Sequence, residues 1–473
     1  MTLRDILIFF IAGLMIRGLS RWGGARAWLL YLASILAVFW LQPLSPVRNL
    51  DFWFPLATLA LAALGWFATA PAEQRSWKTN APAFAVLAGV VLLVGLTRFL
   101  SNDGILTASR PPIFEQVLAA VVVSALLAFG LGRVKLSGGA LWVGIGLLIA
   151  LLVALKLPPL AQAVSAGLRT LMEQNTARAA AADLRWLGFS YLAFRLIHTL
   201  RDRQSGRLAA ASFQEYLTFA LFFPALTAGP IDRLDRFVKD LRKPVGWDAG
   251  ELGLAGQRLA LGLLKKFVVA DGLALFALNA TNATQLSSAG WAWLLLYAYA
   301  LQIYFDFSGY TDLAIGLGRL VGVTLPENFN APYLKPNLTQ FWSNWHMTLT
   351  QWFRAYYFNP LTRALRSRKT LSPFVVLLIT QVSTFILIGL WHGVTWNFVL
   401  WGAWHGLGQV VQNRFTDWIK PRYAALEGRP RLHQAVTVLT TLVTFHYVAL
   451  GWVFFALPDP ALSLSVFGRL FGG

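Results

Sequence analysis

The sequence predicts an all-α, polytopic transmembrane helix bundle of about 11–14 helices, some re-entrant or interfacial, around a cavity crossing the membrane. Three observations carry this expectation. Of 473 residues, 57% are apolar and only 13% charged, about half the ~25% charge of a soluble domain. Apolar runs of about 15–25 residues recur at 28–44, 52–69, 82–96, 113–129, 140–155, 371–390 and 436–456, close to the ~20 residues a helix needs to cross a ~30 Å hydrocarbon layer. The runs are unbroken rather than alternating, which selects helices over barrel strands.

Composition also excludes whole classes. There is no Cys, so thiolate metal sites, a Cys nucleophile and thiol redox motifs are out. There is no Gly-x-y repeat and no polar tract, so the chain is neither fibrous nor disordered. The net charge of +19 does not point to nucleic acid, because Lys and Arg cluster between apolar runs, as cytoplasmic loops do under the positive-inside rule. The clusters are Arg17/Arg21/Arg26, Arg201/Arg203/Arg207, Arg233/Arg236/Lys239/Arg242/Lys243, Arg363/Arg366/Arg368/Lys369 and 414–431. Anionic membrane lipid is their expected partner. An acidic partner protein or a phosphate-bearing cofactor is the alternative.

Taken in order, residues 1–183 read as about six transmembrane helices of unclear role, almost free of polar side chains inside the spans. The first run, 6–16, lacks a basic leader and a small-residue cleavage site, and is read as a retained span rather than a signal peptide. Within the connector 158–183, residues 161–172 are expected to form an interfacial helix. From 184 to 456 the composition changes. Arg195, His198, Asp271, Gln302, Asp306, Asp312, His346, His392, His405 and His446 now lie in or beside apolar segments. Polar groups at bilayer depth face a cavity or a partner, so this part is expected to hold the site. Residues 457–473 form a C-terminal tail. Segment 216–231, with Pro224, Gly229 and Pro230, reads as a helix that enters and stops. Segment 341–358 mixes Trp, Phe and Tyr with Thr, Gln, Arg and His, and reads as one amphipathic helix at the interface or along a cavity.

Two histidines stand out. His392, inside Gly389-Leu-Trp391-His-Gly393, ends the run 371–390. A neutral imidazole with a pKa near 6.5 can take a proton from a hydroxyl; the alternative is a His that hydrogen-bonds a neighbouring helix. His346, after Asn344 and Trp345, precedes Gln351 and Arg354, and is a candidate of the same kind or an interfacial belt residue. His405 lies thirteen residues after His392, some 220° away if both share one helix, and is assigned to packing. His198 and His446 lie in spans without an evident polar constellation and are assigned the same way, and His433 to solvent. Asp306 and Asp312, six apart with Ser308, Gly309 and Tyr310 between them, suggest a bent, cavity-lining segment or structural ion pairs. No dinucleotide fingerprint, P-loop, Gly-x-Ser-x-Gly elbow or His-Glu-x-x-His is present, and no two His have metal-ligand spacing on one helix, so no metal is expected.

Several segments together resemble the membrane-bound O-acyltransferases, in particular their bacterial branch with alginate O-acetylase and the teichoic-acid D-alanyl transfer protein. They are 188–195, 222–230, 262–271, Tyr304-Phe-Asp306-Phe-Ser-Gly-Tyr-Thr-Asp312, Pro326-Glu-Asn-Phe-Asn330 with Trp345-His346-Met347, and Gly389-Leu-Trp391-His392-Gly-Val-Thr-Trp-Asn397-Phe398. The likeness covers roughly residues 185–455. It implies that 184–456 is the catalytic core, that His392 is the catalytic base and that His346 is the second motif histidine. Asn344, Trp345, Trp391, Asp306, Asp312 and Asn397 then line the substrate path. One departure is Arg354-Ala355-Tyr356, where the family often has Arg-Asp-Tyr. No soluble hydrolase-like or carrier domain is evident in the sequence.

The resemblance implies an enzyme of the bacterial cytoplasmic (inner) membrane that moves an acyl group, acetyl by family placement, from a cytoplasmic thioester to a hydroxyl used for an exported or cell-surface polysaccharide. No tightly bound cofactor is expected. Acetyl-CoA or an acyl-carrier thioester is the donor substrate, and an acyl-relay protein on the outer side is a further expected partner. D-alanyl transfer to a cell-wall polymer is the alternative. A reading from another class, a proton-coupled transporter, predicts gradient-driven flux that depends on Asp306 or Asp312.

Overall fold

The structure, a computed structural model, describes residues 2–20, 24–134, 137–424 and 428–473. Among the described residues it is all-α, with one isolated β-bridge between Phe329 and Trp345. Six of the described helices are long and apolar enough to cross a membrane, so the chain is a multi-pass membrane protein. The chain divides into two compact units, Met1–Leu259 with Asp312–Pro326, and Ala260–Thr311 with Glu327–Gly473.

The first unit is built from α1 (Leu3–Leu19), α2 (Ala25–Leu41), α3 (Leu50–Thr69), α4 (Trp77–Leu96), α5 (Phe114–Arg133) and α6 (Gly138–Lys156), followed by α7 (Pro158–Leu171), α8 (Phe189–Gln204), α9 (Phe213–Leu221) and α10 (Leu234–Arg242). α3, α4, α5 and α6 are apolar along 19 or 20 residues each, the length at which a helix satisfies all its backbone groups across the bilayer. α7 is different. It buries Ala161, Ser165 and Arg169, four residues apart, and turns Leu160, Val164 and Leu171 outward. This is the expected surface helix. Asp183 pins it by accepting from Ser165 Oγ at 2.6 Å and from Arg169 Nε and Nη2 at 3.0 and 2.9 Å. Burial raises the Asp183 pKa, but these bonds and the Ala180 N–H outweigh burial and hold it below the usual carboxylate range.

The helix expected to enter and stop does so. α9 ends at Leu221, and a single turn at Phe223–Ala225 follows at Pro224. Buried Arg195 of α8 donates to the carbonyls of Ala220 at 2.8 Å and Ala225 at 2.7 Å. A cation thus covers carbonyls that a broken helix leaves open.

The first basic cluster requires a correction. Arg17 and Arg26 are buried and do not face headgroups; Arg21 lies outside the described residues. Arg26 donates from Nε to the Val321 carbonyl at 2.7 Å and from Nη2 to that of Gly322 at 2.8 Å, while Arg17 reaches the Leu320 carbonyl at 3.2 Å. These carbonyls close a 32-residue helix that ends at Leu320. The arginines cap the negative end of that helix. Other basic residues are matched locally: Arg236 with Asp232 at 2.8 Å, Arg242 with Glu215 at 2.6 Å and Lys243 with Asp240 at 2.7 Å. Part of the last cluster, 425–427, also lies outside the described residues.

Helices α11 (Ala249–Leu263), α12 (Asp271–Ala274), α13 (Ala280–Ala283) and α14 (Ala289–Leu320) come next. The segment 306–312 is unbroken helix within α14, so the expected bend is absent. The second unit continues through α15 (Leu338–Asn344), α16 (Met347–Phe353), α17 (Asn359–Ser367), α18 (Pro373–His392), α19 (Trp396–Ala424), α20 (Pro430–Ala456) and α21 (Pro460–Leu470). α18 and α19 form a tight hairpin. A Cβ at Gly402 would sit 2.6 Å from the Phe385 carbonyl, and one at Gly406 2.8 Å from the Val382 Cα. Small residues four apart let the two backbones approach closely.

Candidate active site

The segment 341–358, read from sequence as one helix, is broken in the structure. α15 stops at Asn344, His346 adopts a left-handed backbone with φ 42°, and α16 begins at Met347. The break is imposed by pairing with residues 328–330. Asn330 N–H donates to the Asn344 carbonyl at 3.1 Å, and Met347 N–H to the Asn328 carbonyl at 3.0 Å. Fully buried Asn328 then accepts from the Thr348 backbone N–H at 3.2 Å and from its hydroxyl at 2.7 Å. A non-glycine residue in this conformation costs about 1–3 kcal/mol. Here the backbone bonds to 328–330 on one side and a helix start on the other hold it.

The strained residue is the candidate. His346 is buried, with Phe307 edge-on at 4.6 Å between ring centres. Its Nε2 is enclosed and has no hydrogen-bond partner among the described residues. Trp391 lies 6.1 Å away, ring centre to ring centre, and the same indole lies 4.6 Å from His392. The two sequence-predicted histidines therefore meet around one tryptophan. His392 is half-buried at the C-terminal end of α18, with Phe455 at 4.8 Å, Trp401 at 5.8 Å and Phe398 at 6.1 Å. Aromatic walls of this kind keep bulk water from a reacting centre and strengthen electrostatic contacts inside it.

The remaining candidates make the following contacts. Trp345 is core, ringed by Phe329 at 5.1 Å, Trp452 at 5.1 Å and Phe341 at 5.5 Å. Asn344 turns its amide back to the Gln340 carbonyl at 2.8 Å. Asn397 is buried at the start of α19 and donates to the Leu457 carbonyl at 2.7 Å and to Ser463 Oγ at 2.9 Å, tying that helix to the α20–α21 connection. Asp306 and Asp312 point to different faces of α14, about 240° apart for six residues. In the second unit, Asp306 meets Lys266 at 2.6 Å, which also meets Asp271 at 2.9 Å. In the first, Asp312 is buried against Arg258.

His405 belongs to α19, not to the helix of His392, and packs fully buried against Trp342 and Trp401 at 5.0 Å each. His446 is held by the Tyr297 hydroxyl at 2.8 Å. His198 does have a polar constellation: Asp202 lies 3.6 Å away, and Arg233 meets Asp202 at 3.3 Å. The i, i+4 spacing of His198 and Asp202 was the readable signal. Phe307, Asn328, Trp401 and Phe455 are the neighbours that sequence reasoning missed. Of these, Phe307 and Asn328 sat in motifs already singled out.

The profile of the MBOAT, membrane-bound O-acyltransferase family, matches residues 145–452, beginning ahead of the stretch where the resemblance was legible. The chain is 32% identical over 280 residues to the teichoic acid D-alanyltransferase of Bacillus subtilis, a match covering 58% of this chain and 69% of that protein. It is 34% identical over 265 residues to the peptidoglycan O-acetyltransferase of Helicobacter pylori, covering 55% of this chain and 47% of the relative. Against the probable alginate O-acetylase of Pseudomonas aeruginosa it is 32% identical over 286 residues, covering 60% and 51%.

Proposed function

This chain belongs to the membrane-bound O-acyltransferase family, and from that membership we propose that it moves an acetyl group from a cytoplasmic thioester to a hydroxyl of an exported or cell-surface polysaccharide. Its placement in the bacterial inner membrane is part of the same proposal. The enzyme is an O-acyltransferase with multiple membrane passes. Acetyl and polysaccharide are supported by relatives named peptidoglycan O-acetyltransferase and alginate O-acetylase. The observation that carries the catalytic reading is the shared indole: Trp391 stands 4.6 Å from His392 and 6.1 Å from His346.

In this reading His392 takes the proton of the acceptor hydroxyl as its oxygen attacks the thioester carbonyl. The C–O bond forms, and the carbonyl electrons move onto oxygen. The enclosed His346 Nε2, unspent on any described partner, donates to that oxyanion when it carries the ring proton. Collapse breaks the C–S bond, and the proton held by His392 passes to the leaving thiolate. Half-burial of His392 at a helix end leaves it reachable by substrate, while aromatic neighbours restrict competing hydrolysis. The donor is acetyl-CoA or an acyl-carrier thioester, bound as substrate and not as a resident cofactor. An outer acyl-relay protein is a further partner in this scheme.

D-alanyl transfer to a cell-wall polymer is the second reading, favoured by the 69% coverage of the Bacillus relative. One experiment separates the two. Alkali-labile ester on extracellular polysaccharide is measured in cells with wild type or His392→Ala at equal expression. Ester that disappears in the variant and releases acetate supports the first reading, and released D-alanine supports the second. Unchanged ester removes His392 from the base role.

A further inference from the structure

The first unit carries a groove lined by residues to which the proposed chemistry gives no role. It has a volume of about 300 Å³, at the small end of ligand-binding cavities. Leu152, Leu155 and Phe189 form apolar walls, Lys156 and Arg185 are the cations, and Ser190 adds a hydroxyl. No carboxylate lines it.

Depth in the membrane decides what such a groove can hold. Lys156 is the last residue of α6, a 19-residue apolar helix that spans about 28 Å at 1.5 Å per residue. Its end lies where hydrocarbon gives way to headgroups. α7 starts two residues later and exposes Leu160, Val164 and Leu171 beside a buried polar stripe, the pattern of a helix at the membrane interface. Lys156 and Arg185 therefore stand at phosphate depth, while Leu152 lies one helical turn below Lys156 at acyl-chain depth.

The groove is preformed. Buried Gln42 clamps its backbone, donating to the Arg185 carbonyl at 2.6 Å and accepting from the Leu187 N–H at 3.1 Å. The Trp186 indole donates to Thr58 Oγ1 at 2.8 Å and stacks between Phe54 at 4.7 Å and Phe189 at 4.6 Å. Arg185 is exposed, and its guanidinium has no ion-pair partner among the described residues.

We propose that this groove is a specific site for one anionic phospholipid, its phosphate held between Lys156 and Arg185 and one acyl chain lying along Leu152 and Leu155. Charge complementarity selects the anionic headgroup. The apolar walls select a lipid over a free anion. The site is independent of the acyl-transfer reading, and its test does not use activity.

Full-length protein in a neutral detergent is titrated with dioleoyl-phosphatidylglycerol, dioleoyl-phosphatidylcholine or inorganic phosphate, and bound species are read by native mass spectrometry. One phosphatidylglycerol per chain is expected, retained at least about fivefold more tightly than phosphatidylcholine. Lys156→Gln and Arg185→Gln each lower that preference several-fold. Leu155→Trp, which fills the groove, lowers retention of both lipids. Arg185→Gln alters an exposed side chain, so it carries the test if Lys156→Gln melts early. Equal retention of the two lipids, displacement of phosphatidylglycerol by millimolar phosphate, or an unchanged preference in the double variant would each overturn the proposal.

Discussion

The imidazole of His346 lies 6.1 Å from the indole of Trp391, the residue immediately before His392. One histidine starts the short helix α16 and the other ends the long helix α18. Each is set by a different local device: His346 by a left-handed backbone, His392 by a helix terminus. The site therefore depends on two separate supports that can be removed one at a time.

His346→Ala is expected to lower kcat by about 10²–10³ with KM changed little, as for loss of an oxyanion donor. His346→Gln keeps an N–H and recovers part of the rate. Initial rates over a range of acceptor concentrations check this, and a change confined to KM rules out the oxyanion role.

Asn328→Ala removes a buried acceptor used by both the backbone N–H and the hydroxyl of Thr348. About 1–3 kcal/mol of stability is expected to go. The rate falls as well, because the His346 conformation loses its brace. Thermal melting and acyl transfer measured on one preparation give both numbers. Full activity in a destabilised protein would separate the brace from the chemistry.

The Arg258–Asp312 pair has its carboxylate buried and its guanidinium a third exposed, at 4% and 33% of side-chain area. Arg258→Met takes this cation away from the buried carboxylate and is expected to cost about 3 kcal/mol. Adding Asp312→Asn returns part of it. A double-mutant cycle by denaturation in detergent measures the coupling, and purely additive losses argue against a direct pair.

A methyl group at residue 451 would sit 2.5 Å from His405 Nε2. Gly451→Ala is therefore expected to destabilise by about 1–3 kcal/mol through overpacking, and His405→Ala in the same chain relieves the clash. Equal melting temperatures for wild type and Gly451→Ala would show that the ring can move aside.

The Asp183 carboxyl is held below its ordinary range by Ser165, Arg169 and the Ala180 N–H against the opposing effect of burial. A depressed folded-state pKa adds stability above the unfolded value near 4, and that stability is lost as pH falls through the folded value. Hydrogen exchange in α7 is expected to rise on acidification below about pH 4. Arg169→Met shifts the onset to higher pH. An onset unaffected by Arg169→Met removes Asp183 as the cause.

The long apolar helices were legible because length and composition are local properties. His392 was legible too, as a polar residue bracketed by Gly389 and Gly393 at the end of such a run. The break at His346 was not. Its cause is a pairing with 328–330, some eighteen residues earlier in the chain, and no feature of 341–358 announces it. The N-terminal arginines failed for the same reason on a larger scale. Their acceptors are carbonyls, which every residue carries, and only the fold says which ones are open. For the His198–Asp202 pair, the helical spacing was on display, but the apolar surroundings drew attention away.

The Arg26 cap on Val321 joins residues 295 positions apart. A ribosome adding about 5–20 residues per second needs roughly 15–60 s to make the acceptor after the donor. For that interval the nascent amino-terminal helices hold two guanidinium groups whose final acceptors do not yet exist. Insertion of the early spans and completion of their fold are therefore separate events in time. The first unit closes only once residues 320–322, about two-thirds of the way along the chain, have been made.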